Sequence, residues 1–203
     1  MGTDINGVIE YRRASACAGH GPGSWAQAID LDILNDTRNY DAFACLFGVR
    51  NFANFRPIAA DRGLPDDATD FTVAHMARWG CFGATWIGWS EVEAVDWDEL
   101  ADLPDSRIHE YRRQPDGSLA FRGKAGHNTR FAKVSGTPIG AQGEGKIWPE
   151  GTEWIDGDAV FRSERLSRSQ AVTLEWAPVW AVMRALAGVH GDDNVRLIVW
   201  FDD

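Results

Sequence analysis

The sequence predicts an α+β fold, read as a single domain over residues 1–203, with a largely antiparallel sheet, packed helices and long loops. Three observations carry that expectation. Segments of two-residue alternation come as neighbours along the chain, at residues 5–11 with 25–33 and 107–113 with 119–125, as hairpin strands do. No regular strand–helix–strand rhythm joins them, so a parallel sheet is not indicated. Near the C-terminal end a stripe of helical period at residues 178–189 runs into a near-continuous apolar stretch, VRLIVWF, at 195–201.

Residues 5–11 (INGVIEY) put Ile5, Ile9 and Tyr11 on one face and Val8 and Glu10 on the other. Small residues and glycines at 14–24 make a loop. Residues 25–33 (WAQAIDLDI) then set Trp25, Gln27, Ile29, Leu31 and Ile33 on one face, which completes a hairpin with a long tip. The period changes to helical over 39–49, where Asn39 or Asp41 can cap Tyr40, Phe43, Leu46 and Phe47. Residues 51–65 carry no clean period and are punctuated by Pro57, Gly63 and Pro65. A helix is expected over 66–79, capped by Asp66 or Asp67, and a short strand over 85–89. Ser90 with Glu93 has capping-box spacing for a helix to Val95, and 96–105 reads as a further helical turn ended by Pro104.

The Pro-Asp-Gly turn at 115–117 closes the second hairpin. Residues 126–157 form a Gly-rich excursion with a short strand near 146–148. A strand follows at 160–166, then a helical turn at Ser167 with Gln170 in the capping position. The clearest helix is 178–189, with Pro178 in its first turn, a stripe of Val179, Val182, Met183, Leu186 and Val189, and Gly188 or Gly191 at its end. The apolar 195–201 segment belongs in the middle of its sheet.

Composition narrows the function classes. A net charge of −10 argues against a general nucleic-acid binder and against docking on anionic membranes. Three cysteines without a C-x-x-C pair, no signal-peptide core and no apolar run of spanning length imply a reduced, cytoplasmic setting. Ten tryptophans read first as core and half-buried indoles. His20, His75, His109, His127 and His190 are spread out, so no metal site is expected, and no phosphate-cradling glycine motif or nucleophile elbow implies a cofactor or acyl chemistry. The glycine run at 140–145 precedes no helix and reads as loop.

The densest candidate surface is residues 36–65. It holds Arg38, Arg50, Arg56 and Arg62, two Arg-Asn pairs (Arg38-Asn39 and Arg50-Asn51), and Tyr40, Phe43, Phe47, Phe52 and Phe55. Planar guanidinium forks suit a carboxylate or phosphate, and aromatics beside them suit a flat ligand. Arg62 could instead pair with Asp61, Asp66 or Asp67, and Arg38, Arg50 and Arg56 could lace the loop to acidic neighbours. Asp4, at the start of the first strand, is either a turn former or a site residue.

The opening M-G-x-D-I, the block R-N-Y-D-x-F-x-x-L-x-x-V-R-N at 38–51 and P-I-x-x-x-R-G-L-P at 57–65 resemble a family of uncharacterised proteins common in bacteriophages and actinobacterial genomes. The block W-x-x-W-S-E-V-x-A-V-D-W-D-E at 86–99 and the V-W-F-D ending look like its actinobacterial branch. Relatives in that family usually carry histidine where this chain has Asn6 and a His-Ser pair where it has Phe82-Gly83. With Asp4, two such histidines would suit metal-dependent or acid–base chemistry, and this chain lacks both. The resemblance implies no established activity, and a binding-only protein built on the same pocket would survive that loss.

Three functions are carried forward. The first is binding of a small anionic, nucleotide-like ligand by Asp4, Asn6, Arg38, Asn39, Tyr40, Arg50, Asn51, Arg62 and Trp86, in a phage setting a way to sequester a host defence signal. The second is inhibition of a host protein through an acidic, Trp-rich face. The third is hydrolysis of a phosphate or glycosidic bond with Asp4 and Glu10 as acid and base.

Overall fold

The computed structural model describes residues 2–13, 23–77, 81–125, 128–137 and 147–203. Along the chain the elements are β1 (Asp4–Arg12), β2 (Trp25–Asp30), α1 (Tyr40–Phe47), α2 (Asp70–Met76), β3 (Phe82–Gly88), α3 (Trp89–Glu93) and β4 (Ile108–Arg113). They continue as β5 (Leu119–Ala125), α4 (Thr129–Ser135), β6 (Glu153–Asp156), β7 (Ala159–Arg162), α5 (Arg168–Ala171), α6 (Ala177–His190) and β8 (Val195–Asp202). The fold is α+β. The strands form two four-stranded sheets, β2-β1-β8-β3 and β5-β4-β7-β6, and every pairing is antiparallel. Among the described residues no helix is long and apolar enough to cross a membrane.

The first sheet is built around β8, whose residues 195–201 are all buried, as the apolar run predicts. Its two faces are covered differently. Ile5, Ile9, Leu197, Val199 and Phe201 pack against α1 and α6, with Phe43 edge-on to Phe201 at 5.4 Å. Burying side chains of this size contributes roughly 1.5–3 kcal/mol each. Val8, Ile198 and Trp200 face the other way, under Leu64, Ala68 and Met76. Gly7 faces the helical side opposite Val199, and a Cβ there would come within 2.5 Å of the Ile198 carbonyl. That close approach explains a glycine in mid-strand.

Helix α1 keeps its predicted span to within two residues. Asn39 is the cap, its side chain accepting from the amides of Asp41 and Ala42, and Gly48 ends the helix with φ 77°. In α6, Val179, Met183 and Ala187 are buried and Val182 and Leu186 flank them, but Val189 is 76 % exposed, past the end of the buried stripe. The second sheet carries α4, whose Phe131 meets Trp154 edge-to-face at 4.9 Å. Arg107 and Lys124 both pair with Asp41, tying this sheet to α1.

Several expectations shift. β2 stops at Asp30, and Leu31–Ile33 turns through a 3₁₀ helix that buries Leu31 and exposes Ile33. α2 begins at Asp70 because Asp67 is engaged elsewhere and Thr69 caps the helix by accepting from the Thr72 amide. Its expected end at Trp79 lies outside the described residues. α3 starts one residue early: Glu91, not Glu93, reaches back to the Gly88 amide at 2.9 Å. Residues 96–105 are not helical. The Asp96 carboxylate takes the Asp98 amide in a local turn, and Leu100 bridges to Ser167. The 160–166 strand is the shorter β7. Within the Gly-rich excursion, α4 and β6 are present, Ile147 and Trp148 are not in a strand, and the 140–145 run lies outside the described residues.

Candidate functional site

The arginines of residues 36–65 are paired, and they do not share a cavity. Arg38 holds Asp4 through Nε and Nη2, the second bond at 2.7 Å, and these hydrogen bonds keep the Asp4 carboxyl below its ordinary range. Arg50, with φ 51°, gives Nε to Thr3 Oγ1 at 2.6 Å and Nη2 to Asp203 at 2.7 Å. Arg56 pairs with Glu99 at 2.7 Å. Arg62 binds Glu91 with both terminal nitrogens, at 2.9 and 2.8 Å, and also donates to the carbonyls of Trp86 and Ile58.

The other predicted residues are likewise committed. Asn39 caps α1 and donates to the Ala171 carbonyl at 3.0 Å. Asn51 closes its own loop, exchanging bonds with Phe55 at 2.8 and 3.0 Å. The Tyr40 hydroxyl accepts the Thr3 amide at 2.9 Å. The expected pocket is thereby divided: Arg38, Asn39 and Tyr40 line one shallow cavity, Asn6 lines another with His75, Cys81 and Trp200, and Arg62 and Trp86 line a third. The reason is electrostatic. The chain carries thirty Asp and Glu to twenty Lys and Arg, so a guanidinium at a strand end or loop usually finds an acidic partner.

The third cavity is the largest, at about 780 Å³. It opens where the ends of β1 and β3 meet the 62–67 loop and the start of α3. Its floor is a charge network. Arg196, on β8, gives Nε and Nη2 to Glu10 Oε2 at 3.0 and 2.8 Å and Nη1 to Asp67 at 2.6 Å. Glu10 is fully buried, and its other oxygen takes the Thr69 hydroxyl and amide and the Thr72 hydroxyl. Burial pushes the Asp67 carboxyl up, but hydrogen bonds from Arg196 and the Trp25 indole outweigh it and hold that carboxyl low.

One wall is Trp25, its ring centroid 3.7 Å from the Arg196 guanidinium and 4.7 Å from that of Arg12. Opposite, Arg62 lies 5.0 Å from the centroid of Trp86. Arg12 differs from the other arginines of this cavity. Its Nε is buried and makes no hydrogen bond, and among the described residues no carboxylate lies within ion-pair distance. A buried N–H without an acceptor costs roughly 1–3 kcal/mol, more when charged.

Neither carboxylate proposed for acid–base work is free: Asp4 is held by Arg38, and Glu10 lies under the sheet with both oxygens occupied. Among the described residues no group of three or more His, Cys, Asp or Glu could hold a metal ion. His75 lies against Phe71 with ring centroids 4.0 Å apart, His109 sits between Asp105 and Glu164, and His190 stacks on Tyr11, while His20 and His127 lie outside the described residues.

Arg12 and Trp25 escaped the sequence reading, which stopped the first strand at Tyr11. One more residue of the same hairpin pairs Arg12 with Trp25 directly, and that register was the available signal. Compared with known proteins, the chain matches no family model, no curated protein and no solved structure.

Proposed function

We propose that the chain binds a small anionic ligand with a flat ring system, nucleotide-like in size, in the cavity between β1, β3, the 62–67 loop and α3. The observation that carries this reading is Arg12: a guanidinium at the wall of a cavity of about 780 Å³ with no carboxylate in ion-pair distance among the described residues. A phosphate or carboxylate oxygen in the cavity would pair with its terminal nitrogens. The half-buried Trp86 offers its indole to a planar group, as recognition pockets commonly do. Asp66 and Asp193 at the exposed rim favour a ligand with one compact charge over a polyphosphate. In the setting that the resemblance implies, such a protein would sequester a host signal.

The test is calorimetry with nucleoside monophosphates, cyclic nucleotides and the matching uncharged nucleosides. One or more phosphorylated members should bind, the nucleosides should bind far more weakly, and Arg12→Gln should weaken binding about tenfold or more. No heat from any phosphorylated member, or equal affinity in Arg12→Gln, would overturn the reading.

A further inference from the structure

On the far side of α3 from that cavity lies a cleft of about 440 Å³, within the size range of small-molecule sites. It is walled by indoles. Trp89 forms its base at 2 % exposure, and the half-buried Trp97 and Trp180 stand over it with ring centroids 6.4 Å apart and planes tilted by 48°. The walls are fixed from behind. Trp180 stacks on the fully buried Trp176 at 5.3 Å, and the Ser169 amide donates to the Trp97 carbonyl at 2.8 Å.

Two opposite charges line the cleft and do not touch each other. Arg184, one helical turn after Trp180 on α6, has its guanidinium 5.5 Å from the Trp89 centroid. Glu93 ends α3. Both are exposed, and among the described residues neither has an ion-pair partner, although most cationic side chains of this chain do.

We infer that this cleft is a separate binding site for a zwitterion with an apolar side chain, of the class of free aromatic or branched α-amino acids. The carboxylate pairs with Arg184, the ammonium with Glu93, and the side chain lies against Trp97 and Trp180. A neutral apolar ligand would leave both charges unused. A simple anion or cation would satisfy one and face the other as a like charge. The inference does not rest on the Arg12 cavity, which α3 separates from this one.

Calorimetry with L-phenylalanine, L-leucine, phenethylamine and 3-phenylpropionate tests it on the whole chain. The amino acids should bind about tenfold or more tightly than either truncated analogue. Arg184→Gln should erase the advantage over the amine, Glu93→Gln the advantage over the acid, and Arg12→Gln should change neither. Both cleft residues are exposed, so these variants should keep the wild-type melting temperature. Absence of binding by every amino acid, tighter binding of the acid or the amine, or unchanged amino-acid affinity in both cleft variants would overturn the inference.

Discussion

Arg196→Met isolates what the buried network contributes to the fold. Arg196 is 4 % exposed and supplies two of the five donors that converge on the fully buried Glu10, at 3.0 and 2.8 Å. Methionine fills most of the volume and removes the charge, leaving the carboxylate with the Thr69 hydroxyl and amide and the Thr72 hydroxyl. Breaking a buried pair from one side costs about 3–5 kcal/mol. The three remaining neutral donors place this case at the lower end, about 3 kcal/mol. The lost contact to Asp67, whose side chain is 58 % exposed, adds little, about 0–1 kcal/mol. In a chain of this size the expected drop in melting temperature is roughly 6–12 °C.

Urea unfolding near neutral pH measures the loss, with the slope checked so that a midpoint shift can be read as stability. The double variant Glu10→Gln/Arg196→Met removes the stranded charge while keeping an acceptor for the threonines, and it should regain more than half of the loss. A single variant within about 1 kcal/mol of wild type, or a double variant no better than the single, would refute the view that Arg196 neutralises Glu10 in the folded chain.

Two further outcomes follow from groups elsewhere. Burial pushes the Asp105 carboxyl up, but hydrogen bonds from His109 and Arg107 and the charge of Lys124 outweigh it and hold the group well below its ordinary 3.8. The unfolded chain therefore binds that proton more readily, so this contribution is complete above about pH 4 and is lost as pH falls below it. Asp105→Asn should flatten the acid limb of a stability-versus-pH curve, and an unchanged limb would count against the assignment. For Cys45, burial raises the thiol to about 11, more than the Arg168 hydrogen bond lowers it. At about pH 8 it should resist iodoacetamide in the folded chain and react once unfolded, as peptide mapping would show; rapid native alkylation would contradict the packing.

The legible parts of the fold were those in which one local rule sufficed. The apolar 195–201 run read as a central strand, Asn39 or Asp41 with Tyr40, Phe43 and Phe47 read as a capped helix, and the Ser167–Gln170 box sits as its spacing implies. The illegible parts were decided by distant partners. α2 starts late because Asp67 is held by Arg196 and Trp25 across the sheet, and α3 starts early because Glu91, already bound by Arg62, also takes the Gly88 amide. α4 and β6 hide among glycines because their stability comes from Phe131 meeting Trp148 and Trp154 rather than from any periodic stripe.

The same distinction governs the candidate sites. Arginine density was a poor guide here, because in a chain with an excess of carboxylates a cluster of arginines is also a cluster of ion pairs. Arg38, Arg50, Arg56 and Arg62 each found one. In such a chain the informative cation is the one that folding leaves beside a cavity without a carboxylate in ion-pair distance, and among the described residues Arg12 and Arg184 both fit that description. Both cavities use α3 as a wall. Ser90 and Glu91 face the Arg12 side, while Trp89, Val92 and Glu93 face the Arg184 side. A helix of five residues can serve two cavities because successive side chains point in different directions around its axis. Within W-S-E-V-E, Trp89, Val92 and Glu93 share one face at i, i+3 and i+4 spacing and Ser90 and Glu91 share the other, so one short helix supplies residues to two surfaces.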